Sequence, residues 1–349
     1  MGTTRRSFLS AGVAAPFILN AQDKAGTKAP VLGEGNWKFE AIHDWGELPS
    51  NLKWGNTHGV VEDSQHNIYV HHTVGKDSEG ADTMVVFDAK GKFIRSWGKE
   101  FRGVAHGLWL RKEGRDEFLY LTVNAANPRA AVKPELSSVV VKATPKGEIV
   151  WKIQGPPDIA EYKSAAYNPT NIAVAPNGDL YVADGYGSYY INQYNSKAEY
   201  IRTFGGKGSE AGKLAEPHGI WVDTRAGSPV LVVADRRNNR LQRFTLDGKP
   251  IDFVTGFRLP CHFDERKGNV VIPDLHGRVT LMDKNNQIIE HLGDSNAPNW
   301  NNPLRTQTRD KFIPGQFICP HGACFDHEGN IFVVEWVEVG RVTKLRKVA

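Results

Sequence analysis

Histidine recurs at one fixed place in a unit that the 349-residue chain repeats six times. Each unit is a short apolar strand, a turn and a second strand, and the residue that starts the first strand varies between copies. In chain order these residues are His58, His106, Thr170, His218, Cys261 and His321. Imidazole nitrogens and a thiol are ligands for zinc or another borderline divalent metal. Four histidines at equivalent positions therefore predict a metal site, although a turn preference for His-Gly is an alternative explanation.

A second repeated pattern follows these units along the chain. It is a hairpin of alternating apolar and polar residues around a Gly, Asn or Asp turn, as in residues 87–98. Five such hairpins follow copies of the first pattern. We expect residues 37–46 to supply the sixth, so that an N-terminal strand completes the last blade and removes an exposed sheet edge. The chain is therefore predicted to be all-β, a six-bladed β-propeller over residues 37–349.

A propeller brings the repeated residues together, because every innermost strand starts beside the central channel. The loop that follows the second strand of each blade returns to the same face. These loops place further candidate residues at the rim of the site: His72, Thr73, Tyr186, Arg236, Asp274 and His276. Cys261, and Cys319 two residues before His321, are expected at the same rim.

The first residues predict export. Arg5-Arg6-Ser-Phe-Leu, followed by an apolar stretch that ends near Leu19, is typical of a twin-arginine signal. We expect residues 1–21 to be that signal, residues 22–36 a linker, and the protein to be periplasmic or secreted. The apolar stretch is too short to span a bilayer. A net charge of +4 without a basic stripe gives no case for nucleic-acid binding, and we expect a monomer.

Several segments between Asn51 and Leu345 resemble the NHL-repeat propellers, and within them peptidyl-α-hydroxyglycine α-amidating lyase. The segments that carry the resemblance are Ala105-His106-Gly-Leu, Asn168-Pro-Thr170-Asn with Tyr181-Val-Ala-Asp-Gly-Tyr186, Pro217-His218 with Val233-Ala-Asp-Arg236, and Cys319-Pro320-His321. The resemblance implies zinc held by three histidines, which fall on His106, His218 and His321. It also implies that Tyr186 is the catalytic tyrosine and Arg236 one of two active-site arginines.

The chain departs from that family at several site positions. The other active-site arginine aligns with Thr73, although the histidine before it is kept as His72. Cys319 replaces a methionine, and Gly322 replaces an aspartate associated with a structural calcium, which argues against that ion here. His58 is an extra potential ligand. The missing arginine leaves open whether the glycine-derived substrate of the family is retained.

The expected function is a metal-dependent lyase that cleaves a carbon–nitrogen bond in a small-molecule or peptide substrate. Zinc would act as a Lewis acid and Tyr186 as the base. One alternative is a hydrolase, such as a lactonase, that uses a zinc-bound water. Another is a non-catalytic NHL binding propeller, in which His58 closes a structural site for zinc or copper.

Overall fold

The computed structural model describes residues 29–124, 138–297 and 301–348. The predicted signal, residues 1–21, lies outside these ranges. Within them, the chain forms strands and six short 3₁₀ helices, none long and apolar enough to cross a membrane. The 3₁₀ helices span Gly35–Trp37, Lys99–Phe101, Ala160–Tyr162, Arg236–Asn238, Pro303–Thr306 and Arg309–Lys311.

Six antiparallel sheets form the blades of a propeller, as the sequence predicts. Two strands near the N-terminus, β1 (Val31–Leu32) and β2 (Phe39–Ile42), belong to the last blade. Blade one contains β3 (Thr57–Glu62), β4 (Ile68–His72), β5 (Met84–Phe87) and β6 (Phe93–Trp97). Blade two contains β7 (Ala105–Glu113), β8 (Asp116–Val123), β9 (Val139–Ala143) and β10 (Ile149–Gln154). Blade three contains β11 (Asn171–Val174), β12 (Leu180–Ala183), β13 (Tyr190–Tyr194) and β14 (Tyr200–Gly205).

The remaining blades follow the same order. Blade four contains β15 (Pro217–Asp223), β16 (Val230–Asp235), β17 (Arg240–Phe244) and β18 (Pro250–Thr255). Blade five contains β19 (Asp264–Arg266), β20 (Asn269–Asp274), β21 (Arg278–Met282) and β22 (Ile288–Leu292). Blade six contains β23 (Pro320–Phe325), β24 (Ile331–Glu335) and β25 (Arg341–Lys347), followed by β2 and β1.

The N-terminal strand differs in extent from the prediction. Strand β2 pairs with β25 over Phe39–Ile42, a shorter stretch than residues 37–46, and Gly35–Trp37 is a 3₁₀ turn. Strand β1 adds a fifth strand outside β2, so part of the interval expected to be a linker, residues 22–36, is paired in the sheet. An isolated dipeptide strand carries too weak a pattern to be predicted without its partner.

The hydrophobic core is divided among the interfaces between blades. One apolar cluster lies between each pair of neighbouring blades, and the cluster between blades six and one packs Val334 and Phe332 against Val60 and Val70. The other five clusters join blades one to two, two to three, three to four, four to five and five to six. Because each sheet is buried on both faces, the blades hold the inner strands rigidly around the axis.

One half-buried carboxyl group between blades five and six gives a prediction about pH. Asp264 accepts a hydrogen bond from the backbone N–H of Phe325 at 2.8 Å, and burial raises its pKa from 3.8 to about 7. Folding therefore favours the protonated form. The protonated carboxyl group of Asp264 stabilises the fold fully below about pH 4, and this stabilisation is lost as the pH rises through about 7.

We expect Asp264→Asn to match the wild type near pH 4 and to be more stable by roughly 2–4 kcal/mol at pH 8. The amide resembles the protonated carboxyl and has no proton to lose. Urea unfolding from pH 4 to 8 measures the difference, with Glu148→Gln, an exposed carboxylate in blade two, as the control. Stability curves that run parallel for the variant and the wild type would contradict the assignment.

Candidate metal centre and active site

A break in strand pairing aims each ring histidine at the central channel. The pairing of the innermost strand with its neighbour shifts register between Thr57 and Gly59, Ala105 and Leu108, Pro217 and Ile220, and Pro320 and Gly322. Each shift encloses one of the four ring histidines. A β-bulge leaves a residue unpaired and redirects its side chain. The four bulges therefore explain how a residue at the start of a strand points to the axis.

Backbone carbonyls of neighbouring blades orient three of the four imidazoles. The Nδ1 atoms of His106, His218 and His321 donate to the carbonyls of Thr170, Cys261 and His58, at 2.7, 2.8 and 2.9 Å. In each case the accepting carbonyl belongs to the ring residue of the next blade around the axis. Because Nδ1 must bear the proton to donate, the lone pair lies on Nε2. Three imidazoles are thus held in the tautomer that binds a metal through Nε2.

The glycine after each histidine allows this close approach. A Cβ atom on Gly322 would lie 2.6 Å from the carbonyl oxygen of His58, and one on Gly107 would lie 2.6 Å from that of Thr170. Those oxygens are the ones that accept from His321 and His106. The His-Gly pairs therefore reflect packing at the axis as well as the chemistry of the site.

The four rings form one buried cluster. Ring centroids lie 4.6 Å apart for His218 and His321, 4.8 Å for His106 and His321, 5.0 Å for His106 and His218, and 4.6 Å for His58 and His321. Burial lowers the pKa of His106 to about 3 and holds those of the other three far below 6.5. All four imidazoles are therefore neutral at physiological pH, which is the form that binds metals.

Four ring nitrogens of this cluster have no hydrogen-bond partner within the described part of the chain. They are Nε2 of His106 and His321 and both nitrogens of His58. One ligand atom from each of these three residues lies within 4.8 Å of the others, so His58, His106 and His321 could hold a metal ion. Unpaired buried nitrogens are costly, and a bound cation would satisfy them. The donor set fits a borderline metal such as zinc or copper better than calcium.

The fourth ring histidine is linked to Tyr186. The tyrosine hydroxyl lies 3.1 Å from Nε2 of His218 and accepts from Nη2 of Arg236 at 3.1 Å. Since Nδ1 of His218 is already a donor, the hydroxyl donates its proton to Nε2. One lone pair cannot serve both a proton and a metal, so this hydrogen bond and ligation by His218 exclude each other. The tyrosine lies at the edge of the cluster, 5.2 Å from the ring of His106 between centroids.

A buried ion pair fixes the arginine beside this hydroxyl. Arg236 pairs with Glu216, which also binds Arg237. Burial opposes the charge of Arg236, but Tyr186 and Glu216 raise its pKa above the ordinary value. Burial likewise raises the pKa of Tyr186, while Arg236 lowers it, and the net direction is upward. Tyr186 is therefore a neutral phenol in this arrangement.

Asp184 shapes the loop that carries Tyr186. Its carboxylate accepts from the N–H groups of Asn168 and Ser188 at 2.6 and 2.8 Å and from the hydroxyl of Tyr162 at 3.0 Å. These bonds hold the turn after β12 against the connector before β11. Tyr186 is thus presented by a rigid loop.

Some of the other candidate rim residues contact the site directly, and the rest contact only their own surroundings. Cys261 contributes to the site, because its carbonyl binds His218 and its thiol lies 3.7 Å from Nη1 of Arg236. Cys319 lies in the same apolar cluster as Cys261, and both side chains are buried. Thr73 donates its N–H to the carbonyl of Asn56, and His72 accepts from two backbone N–H groups and packs on Trp54.

Asp274 and His276 make local contacts. Asp274 is fully buried and binds Arg278 and Thr280, so it supports its own turn. Nε2 of His276 lies 2.6 Å from the carbonyl of Ala297. Both contacts are consistent with a supporting role at the rim of blade five.

Sequence reasoning missed two buried residues near the cluster, Glu216 and His262, whereas His71 was expected at this face together with His72. Glu216, which holds Arg236, stands two residues before His218, and its backbone adopts a left-handed conformation with φ of 58°. His71 and His262 both act electrostatically on His106, and burial lowers the pKa of each to about 4. The position of Glu216 beside a Pro-His pair was the available signal.

Comparison with curated proteins gives distant relatives. The chain is 26% identical over 248 residues to mouse peptidyl-glycine alpha-amidating monooxygenase, which aligns 62% of this chain with 24% of that protein. It is 27% identical over 224 residues to peptidyl-alpha-hydroxyglycine alpha-amidating lyase 1 of Drosophila melanogaster, covering 56% of this chain and 38% of that protein. The match thus spans about a quarter of the mouse protein. No family model matches the chain.

Solved structures show the same fold. A streptogramin B lyase superposes with a TM-score of 0.55 at 15% identity, covering 89% of this chain and all of that one. The virginiamycin B lyase of Staphylococcus aureus gives a TM-score of 0.53 at 15% identity, with the same coverage of both chains. At this identity the likeness concerns the propeller architecture alone. The predicted resemblance to the amidating lyases is confirmed at the level of distant homology.

Proposed function

We propose that this protein is an exported, zinc-dependent lyase of the peptidyl-α-hydroxyglycine amidating type. The observation that carries the proposal is a cluster of neutral imidazoles, with unpaired nitrogens, next to a tyrosine held between His218 and Arg236. The distant relatives that carry lyase names support the reaction class. The twin-arginine pattern supports export.

The metal would be held by His106, His218 and His321, with His58 as the neighbouring fourth imidazole. On ligation, Nε2 of His218 would give up its hydrogen bond to Tyr186, which frees the tyrosine oxygen to face the substrate. Nitrogen donors and a buried, neutral site suit zinc. Bound there, the ion would supply a Lewis acid for a substrate oxygen and a positive charge that favours the phenolate of Tyr186.

In the proposed reaction, Tyr186 takes the proton of the substrate's carbinol hydroxyl. The C–O bond becomes a carbonyl, the C–N bond breaks, and the amide nitrogen receives the electron pair and a proton. An α-hydroxyglycine peptide would give a peptide amide and glyoxylate, so atoms and charge balance. Arg236 donates to the tyrosine oxygen at 3.1 Å and stabilises its anionic form.

A second arginine, Arg305, contacts the residue whose carbonyl binds Thr73. Arg305 stacks on Trp336 at 3.8 Å and donates to the side chain of Asn56 at 3.4 Å. The carbonyl of Asn56 binds the N–H of Thr73. Arg305 therefore brings a guanidinium group to the neighbourhood of Thr73, which has none. Arg305 is therefore our candidate for the group that takes the place of the family's missing arginine, with part of its charge offset by Glu338 at 4.0 Å.

The experiment is an assay of the full chain reconstituted with zinc. An N-acylated α-hydroxyglycine should be converted to equal amounts of amide and glyoxylate, faster than in buffer with zinc alone. Removal of the metal with a chelator should abolish this rate, and zinc should restore it. A rate equal to the buffer control, with metal bound, would rule out the lyase.

One observation favours a second candidate, a non-catalytic propeller stapled by its metal. Both nitrogens of His58 are buried and unpaired among the described residues, and one lies close to His106 and His321. Four imidazoles around one ion would leave no position for a substrate. In that case chelation should lower the melting temperature while no turnover of α-hydroxyglycine exists to be lost.

A further inference from the structure

Two histidines and a glutamate also meet at the opposite end of the inner strands. His58 stands near the start of β3 and Glu62 at its end. At about 3.3 Å per residue, four residues separate the two positions by roughly 13 Å. His66 lies in the turn after β3, and His327 lies in the corresponding turn after β23. This group is therefore separate from the ring at the other face.

The three side chains converge on one oxygen atom. Nδ1 of His327 lies 2.7 Å from Oε1 of Glu62, and Nδ1 of His66 lies 3.6 Å from the same oxygen. The two imidazoles stack with centroids 3.6 Å apart and an angle of 27°. One ligand atom of each residue lies within 4.8 Å of the other two.

The charges around Glu62 favour a cation. Its side chain is 10% exposed, and no lysine or arginine of the described chain forms an ion pair with it. Asp326 lies near and adds negative charge, offset by Lys344 at 3.6 Å, while Arg266 binds the carbonyl of His327 instead.

The two turns present these imidazoles in a fixed way. Asp63 accepts from the N–H groups of Gln65 and Asn67, and Asp326 accepts in the same pattern in its own turn. His66 has a left-handed backbone with φ of 66°, where the turn after β23 has a glycine with φ of 90°. A side chain at such a position costs about 1 kcal/mol.

We propose that Glu62, His66 and His327 form a second metal site, for a borderline divalent cation such as Zn²⁺. Two nitrogens and one carboxylate oxygen are a zinc ligand set, and water would complete the coordination. The half-exposed His66 can adjust to the ion. Since the glutamate and His327 are 265 residues apart in sequence, the ion would tie the first blade to the sixth.

Metal titration of the full chain tests the site. After chelation, the wild type should bind two equivalents of Zn²⁺, both tighter than about 10 µM. His66→Gln with His327→Asn should bind one, and should lose a rise in melting temperature of roughly 4 °C at a hundredfold excess over Kd. Gln65→Ala, in the same turn, is the matched control and should bind two.

The ring is tested separately with His106→Ala and His321→Ala combined. That variant should keep one equivalent, and with Co²⁺ in place of zinc it should keep a visible absorption band. The second site is disproved if this variant binds no metal, or if the His66 and His327 variant still binds two equivalents. Neither result bears on lyase turnover, which depends on the ring alone.

Discussion

The variant His106→Ala is expected to lose the ring-bound metal and, with it, all measurable lyase turnover. His106 offers a buried Nε2 without a partner, and its Nδ1 is held by Thr170. Alanine removes one of the three proposed ligands, and only His58 lies near enough to offer a substitute nitrogen. We expect metal affinity at the ring to fall by more than about 100-fold. Elemental analysis after dialysis and the α-hydroxyglycine assay measure the two losses.

Two further variants test whether the loss of metal and turnover in His106→Ala comes from the loss of a ligand. His276→Ala, at the rim, should retain metal and activity. His58→Ala should also retain both if three histidines form the catalytic site. If His58→Ala instead releases the ring metal while His218→Ala retains it, the ligands are the geometric trio of His58, His106 and His321, and the ligand set proposed here is wrong.

The fold could be predicted because the chain repeats itself. Strand and turn residues recur at matching places, and rotation about one axis then places equivalent residues opposite one another. The clustering of His58, His106, His218 and His321 follows from this symmetry, since the bulges that aim them recur in the same four blades. The repeat alone therefore predicts that these four imidazoles form one cluster.

Features that break the repeat could not be predicted. The hydrogen bond between Tyr186 and His218 joins the loop after β12 in blade three to β15 in blade four. The pairing of Arg236 with Glu216 depends on the left-handed backbone of Glu216. No periodic pattern encodes either contact. The tautomers of the ring histidines also require the carbonyl positions of the neighbouring blades, which only packing determines.

The polar network around Tyr186 also explains why its phenol is neutral when no metal ion is bound nearby. Its hydroxyl proton is shared with His218, and its partner Arg236 is already neutralised by Glu216. Arg236 therefore lowers the pKa of the phenol less than an unpaired guanidinium would. An additional positive charge near the histidines is needed for base catalysis at neutral pH.

Tyr186→Phe is expected to reduce kcat by about 10²–10⁴-fold while one equivalent of metal stays bound at the ring. The aromatic ring of the side chain remains, so packing is kept. The free energy of unfolding should fall by roughly 2 kcal/mol because two hydrogen bonds are lost from one hydroxyl. Stopped assays at saturating substrate measure kcat, with Tyr190→Phe in the same blade as the control. Loss of the metal together with the activity would mean that Tyr186 supports the ligands. Unchanged turnover would mean that another group takes the proton, and the placement of Tyr186 between His218 and Arg236 would then be structural.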